Sequence, residues 1–190
     1  MLIGPPGAGK STVARLLARQ LGLTARDTDD DVEQSAGKPI GEIFVVDGEP
    51  HFRDLEREAV TTALAVYDGV LALGGGAVLD PLTEAALTGY TAAGGVVVFL
   101  DVTLPHAAPR IGFNQARPLL LGNPRAQWRA LMDRRRPIYR RAATLVVSTD
   151  DRTPAQVAGE VAAALAAGTR AGAASGTEGP PAPESGPQDA

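Results

Sequence analysis

Short apolar runs and longer stretches of 3.6-residue apolar spacing take turns along this chain. Residues 1–3 read as the end of a strand. In 11–21, Val13, Leu16 and Leu17 fall on one helical face and Gly22 stands where the helix can end. Residues 23–26 are strand-like. Two short helical stretches follow, 30–36 closed by Gly37 and then 40–46. A longer helix is expected over 50–66, with Phe52, Leu55, Ala59, Val60 and Ala63 inward. Residues 70–73 form an apolar strand that stops at three glycines, and 82–87 are helical. The run VVVFL within 96–101 fits the centre of a parallel sheet. A helix begins at 105–110, weakened by Pro109. Another spans 125–139, with a kink or break expected at Pro137. Residues 145–148 give the last strand and 154–165 the last helix.

This alternation predicts an α/β fold: a five-stranded parallel sheet in a three-layer α/β/α arrangement. No internal repeat is visible. The ordered domain is expected over 1–167. From 168 the chain is rich in Gly, Pro, Ala and Ser with almost no large apolar side chain, which predicts a disordered tail over 168–190. Only three residues precede the first glycine-rich loop. A central strand typically has about 5, so the first strand is expected to be cut short or to begin upstream.

Composition narrows the class. A length of 190 residues suits one domain, and 44% hydrophobic residues is ordinary for a globular protein. No run of 18 or more apolar residues predicts a membrane span, and no leader pattern opens the chain, so a cytoplasmic protein is expected. A net charge of −4 argues against a protein built to hold nucleic acid. The absence of cysteine excludes disulfides and thiolate metal sites. Lysine occurs only at Lys10 and Lys38, against sixteen arginines. A lysine within a glycine-rich loop stands out against that background.

That loop, GPPGAGKS over 4–11, matches the phosphate-binding pattern G-x-x-x-x-G-K-[ST] in full. Glycines let backbone N–H groups converge on phosphate oxygens, and the following helix adds its positive end. Gly7, Ala8, Gly9, Lys10, Ser11 and Thr12 are the candidate nucleotide-binding residues. Lys10 can reach the β- and γ-phosphates of ATP, and Ser11 can ligate Mg²⁺.

Weaker signals follow in order. Asp27-Thr28-Asp29 lies at a strand's C-terminal end, the edge where open parallel sheets bind ligands. One carboxylate can serve Mg²⁺ and another a hydroxyl proton; a solvated acidic turn or a helix cap is the other reading, since Asp30 and Asp31 continue the run. Gly74-Gly75-Gly76 also follows a strand and lets backbone approach a ligand, or is simply a loop. Arg53 and Glu56 share a helix face, where the arginine could bind a substrate carboxylate or form a surface ion pair. Arg117-Pro118-Leu119-Leu120 lies in a long connection over 112–124, the length of a mobile lid. Arg134, Arg135, Arg136, Arg140 and Arg141 cluster around Pro137 and Tyr139.

Taken together, GPPGAGKST, DTD, FRDLE, LGGGAV, RPLL and RRPIYRR resemble the shikimate kinases in order and spacing over roughly 2–165. The resemblance implies a P-loop kinase fold with a mobile lid, and ATP-dependent phosphorylation of shikimate to shikimate 3-phosphate with Mg²⁺. It implies a monomer that meets only small molecules. It assigns Lys10 and Ser11 to phosphate and Mg²⁺, and Asp27 to the metal. Asp29 would hold the ring hydroxyls and orient or deprotonate the one attacked. Arg53, oriented by Glu56, would take the carboxylate, and Gly74, Gly75 and Gly76 would lend N–H groups. Arg117 would reach the phosphates from the lid. Arg135 would contact the acceptor, with Arg134 and Arg136 as neighbouring alternatives. Arg110 and Arg152 would flank the adenine. Another small-molecule kinase of this fold, such as a gluconate or nucleoside monophosphate kinase, and an inactive nucleotide-binding relative are the competing readings.

Overall fold

Leu2 and Ile3 are buried at the centre of a parallel sheet and form the whole of strand β1 (Leu2–Ile3). The computed structural model describes residues 1–111 and 123–174. The other strands are β2 (Ala25–Asp27), β3 (Val70–Ala72), β4 (Val98–Asp101) and β5 (Leu145–Ser148). Their order is β2-β3-β1-β4-β5, and every pairing is parallel. Leu2 stands opposite Ala72 on one side and Val98 on the other. Short as β1 is, the ladder is closed around it: Leu2 O accepts from Leu73 N at 3.0 Å and Met1 O from Val98 N at 2.9 Å. The Met1 ammonium donates to Val96 O at 2.8 Å, and burial lowers that amine from 8.0 to about 6.

The helices are α1 (Lys10–Leu21), α2 (Thr28–Ala36), α3 (Ile40–Val46), α4 (Gly48–Val66), α5 (Pro81–Ala92), α6 (Leu104–Ile111), α7 (Pro124–Ala142) and α8 (Pro154–Ala174). They cover both faces of the sheet, with α1 against α8 and α4 against α5. Gly22, in the left-handed region at φ 68, ends α1 as expected. The main core joins the sheet residues to Val13, Leu17, Val60, Leu87, Trp128, Tyr139 and Val161. A second, smaller core of Val32, Ile43 and Phe52 ties α2, α3 and α4 together. There the Phe44 and Phe52 rings lie 4.5 Å apart.

Three boundaries differ from the sequence expectation. Helix α7 runs through Pro137 without a break, held on both sides of the proline by buried Met132 and Tyr139. Helix α8 continues past 165 to Ala174, so 168–174 extend the helix instead of opening the tail. Its alanines are the strongest helix formers. Helix α5 starts at Pro81 and is twice the expected length, because Asp80 caps it through the N–H groups of Leu82 and Thr83. The expected lid lies outside the described residues over 112–122; Asn123 already caps α7 and Pro124 is its first residue.

Candidate active site

The phosphate loop leaves β1 at its C-terminal end and enters α1. Its glycines answer to contacts as well as to turns. At Gly4, φ is +148 and an added methyl would sit 2.6 Å from Leu100 O. At Gly7, φ is +83 and the methyl would sit 2.8 Å from Ile111 Cγ1. Gly9 caps α1 with no side-chain acceptor, and the positive N-terminal end of α1 suits an anion. Lys10 Nζ donates to Gly4 O at 2.9 Å and Pro5 O at 3.3 Å, curling back over the loop. Trp128 of α7 is buried and donates from Nε1 to Pro6 O at 3.4 Å.

A cavity of about 520 Å³ opens over the loop. Gly7, Ala8, Gly9, Lys10, Ser11 and Thr12 form its floor, and Asp29 and Gly75 form one side. Arg110, Thr149, Arg152, Pro154 and Val157 form the other. Arg110 is held by Thr149, donating to Oγ1 at 3.1 Å and to the carbonyl at 3.0 Å. Arg152 is paired with Glu160 of α8. The described nucleotide-site candidates of the sequence therefore share one pocket. Arg117 lies outside the described residues.

The second constellation closes around the glycine turn after β3. Thr28 is fully buried, and its Oγ1 accepts from Gly74 N at 2.9 Å. A methyl on Gly74 would stand 2.5 Å from Glu56 Oε1 and 2.6 Å from Asp29 Oδ1. A methyl on Gly76 would collide with Arg53 Nη1. Arg53 donates from Nη1 to Glu56 Oε2 at 2.6 Å and from Nη2 to Glu49 at 2.8 Å. Burial by itself would lower the Arg53 guanidinium, but Glu56 and Glu49 outweigh it and hold it above its ordinary value. Among the described residues, Glu56 Oε1 is buried and has no hydrogen-bond partner, an acceptor beside the turn. From α7, Arg135 Nη1 donates to Gly75 O at 3.0 Å. Arg136 turns instead to Asp101 and Val102 O, both at 3.1 Å, and Arg134 is exposed. Of the three consecutive arginines, Arg135 is the one at the glycine turn.

Asp27 is the one described candidate that stands back. It ends β2 and caps α2, its Oδ1 accepting from Asp29 N at 3.1 Å, and it does not line the cavity. The cap reading of that acid is therefore correct for one of its oxygens. Sequence reasoning passed over Thr28 and Tyr139 as site residues, although both stand inside the quoted motifs. Tyr139 is buried and donates from its hydroxyl to Gly75 O at 2.5 Å. Thr149, which orients Arg110, carried no motif signal.

A phosphate loop at the carboxyl edge of a β2-β3-β1-β4-β5 parallel sheet, sharing its cavity with a carboxylate, defines a P-loop kinase. Its particular kind is given by sequence as well as geometry. The profile of the family described as shikimate kinase matches residues 6–166, and the chain belongs to that family. It is 59% identical to a shikimate kinase of Salinispora arenicola over 162 residues, 85% of this chain and 94% of that one. Among solved structures it resembles shikimate kinase from Acinetobacter baumannii in complex with shikimate. That match has a TM-score of 0.80 and 31% identity, and covers 88% of this chain and 92% of the other. A gluconokinase from Sinorhizobium meliloti shares the fold alone, at 18% identity and a TM-score of 0.59 over 92% of this chain and 95% of that one.

Proposed function

We infer that this chain transfers the terminal phosphoryl group of ATP to a hydroxyl of shikimate, giving shikimate 3-phosphate and ADP. The observation that carries the reading is the position of Asp29. It lines the phosphate cavity and, on the same carboxylate, approaches the Gly74 turn where Glu56 and Arg53 meet. An acceptor whose carboxylate lies on Arg53 thus presents a hydroxyl to Asp29 beside the phosphates. Phosphoryl transfer asks for in-line placement and charge neutralisation more than for covalent help. Arg53 anchors the carboxylate through its planar fork, and Arg135 adds a second cation from α7. Asp29 orients the attacking hydroxyl and takes its proton. Lys10 leaves the loop carbonyls for the phosphate oxygens. Arg110 and Arg152 flank the adenine by their planar faces. Arg117 is given a phosphate contact by the family motif RPLL.

Mg²⁺ fits the donor set. Among the described residues no group of three or more His, Asp or Glu side chains holds a metal alone. In phosphoryl transfer the ion generally takes one or two protein oxygens and completes its shell with phosphates and water. Ser11 on the cavity lining would supply one hard oxygen, and Asp27, which stands back from the cavity, would act through a bound water. Bound there, the ion would neutralise charge on the phosphoryl oxygens. The protein is read as a cytoplasmic monomer whose partners are ATP and shikimate. Among the described residues no helix is long and apolar enough to cross a membrane.

The test is ADP release with Mg·ATP and a panel of acceptors. Shikimate is expected to drive turnover and gluconate to leave it at background. Preference for gluconate would overturn the acceptor. Nucleotide binding without acceptor-dependent ADP release would make the chain an inactive relative.

A further inference from the structure

The glycine turn is pegged from two sides by hydroxyl groups that the family motifs carry without an evident task. Thr28, between the two aspartates, is fully buried and receives Gly74 N–H at 2.9 Å. Tyr139, after Pro137, is fully buried and gives its hydroxyl proton to Gly75 O at 2.5 Å, the oxygen that Arg135 also contacts. The phenol has little freedom to move, because its ring stacks on Phe99 of β4 with centroids 5.0 Å apart and planes at 21°. Burial raises its pKa from 10.0 to about 12, so it remains a neutral donor at working pH.

The remaining carbonyls of the turn are also taken. Gly74 O accepts from Ala77 N at 3.2 Å and Gly76 O from Leu79 N at 2.9 Å. Among the described residues, the N–H groups of Gly75 and Gly76 have no protein acceptor. In a trans peptide the carbonyl and the next N–H point in opposite directions. Drawing Gly75 O toward α7 therefore turns Gly76 N–H away from α7. A turn with every carbonyl tied and two adjacent amides open is a preorganised donor pair.

We propose that Thr28 and Tyr139 are positioning residues for the acceptor: their hydroxyls fix the glycine turn so that the amides of Gly75 and Gly76 are aimed at shikimate. The proposal rests on the reading that this turn borders the acceptor. Losing either hydrogen bond lets the turn relax, and a contact made equally in ground and transition state reports in KM. Leaving the partner of a buried hydrogen bond unsatisfied costs about 1–3 kcal/mol, and the lower half of that range corresponds to about 5–30-fold.

The experiment compares Tyr139→Phe, Thr28→Val and Thr28→Ser with the wild type. Tyr139→Phe and Thr28→Val are expected to raise the KM for shikimate about 5–30-fold, with kcat and the KM for ATP within about twofold. Thr28→Ser, which keeps the hydroxyl, is expected to behave as wild type. Unchanged KM for shikimate in Thr28→Val and Tyr139→Phe overturns the proposal. So does an equal rise in both KM values, which is general loosening, or a Thr28→Ser variant no better than Thr28→Val. If Tyr139→Phe fails to fold by thermal melt, the two Thr28 variants decide. Titrating shikimate into ¹⁵N-labelled wild type separates the underlying reading. Gly75 and Gly76 amide signals that stay still place the acceptor elsewhere; signals that move, with unaltered KM in the variants, refute the pegs alone.

Discussion

Arg53 Nη1 meets Glu56 Oε2 at 2.6 Å, and the pair is graded in exposure: the glutamate side chain is 4% exposed and the arginine 24%. Glu56 is thus the foundation and Arg53 the working end. That grading separates this pair from a solvated i,i+3 ion pair, which would contribute little. Truncating Arg53 to alanine removes a charge-assisted contact of about 1.5–3 kcal/mol. The KM for shikimate is expected to rise about 10–150-fold, with the KM for ATP unchanged. Glu56→Gln keeps the volume but releases the guanidinium, and is expected to raise the same KM by less. Steady-state kinetics with each substrate varied in turn measures both. An Arg53→Ala enzyme with unaltered KM for shikimate would move the carboxylate anchor elsewhere.

Gly74→Ala tests the same corner by volume. Its methyl would stand 2.5 Å from Glu56 Oε1 and 2.6 Å from Asp29 Oδ1, and both atoms belong to buried or positioned carboxylates. Neither can retreat without giving up its place. Loss of shikimate turnover by at least about 100-fold is expected, the scale set by misplacing reacting groups. ATP binding, followed by calorimetry, is expected to hold. Near-normal kinetics would mean that the turn is free to shift.

Much of this arrangement was legible in the sequence, and the remainder was hidden for identifiable reasons. The element order and nearly all elements follow from apolar spacing, and the phosphate loop from its motif. The strand order does not, since parallel strands of similar composition carry no label for their neighbours. The choice of Arg135 over Arg136 depends on which way α7 faces. Consecutive helical residues are about 100° apart, so one meets Gly75 and the next meets Asp101. Thr28 and Tyr139 were visible as letters, but their use lies in hydrogen bonds to residues 46 and 64 positions away. The extension of α8 was masked by glycines and small residues that resemble a linker, though the alanines among them favour helix.

Asp80 offers a pH test away from the chemistry. Burial alone would raise its carboxyl, but Arg57 and the amides of Thr83 and Leu82 outweigh burial and hold it below its ordinary 3.8. A depressed carboxyl binds fewer protons folded than unfolded, so its stabilisation is present above pH 3.8 and is lost as pH falls through the lower folded value. Asp80→Ala also removes the α5 cap, a loss of about 0.5–2 kcal/mol at neutral pH. Urea midpoints are expected to differ most at pH 7 and to converge only as pH falls below the lowered folded value, where the wild-type carboxyl is protonated. A gap independent of pH would assign the effect to shape rather than charge.

Lys10 is the one lysine on the phosphate floor, and its Nζ already lies 2.9 Å from Gly4 O. Lys10→Ala removes the mobile cation for the transferring phosphates. A fall in kcat of about 100–1000-fold is expected, the range for deleting one preorganised charge donor. The protein should still fold, since Gly4 and Gly7 keep the loop's shape, and a thermal melt verifies that. Turnover within a few-fold of wild type would reject the assignment.

Asp29 carries the sharpest distinction. It stands in the first turn of α2, where Asp27 receives its N–H at 3.1 Å, so its side chain starts from a fixed backbone. From there its Oδ1 approaches the Gly74 turn, while the residue lines the cavity over Lys10 and Ser11. A carboxylate placed so can either hold ring hydroxyls or take the proton of the attacking one. Asp29→Asn keeps the shape and hydrogen-bonding reach but removes the base. If Asp29 takes the proton, kcat falls by about 100–10,000-fold and shikimate binding changes only a few-fold. If Asp29 only holds hydroxyls, the KM rises and kcat stays. Single-turnover quench-flow with saturating shikimate, paired with calorimetry of shikimate binding, separates the two outcomes because it reads the transfer step without product release. The first outcome is expected, since the carboxylate lines the phosphate cavity and not only the turn that borders the acceptor.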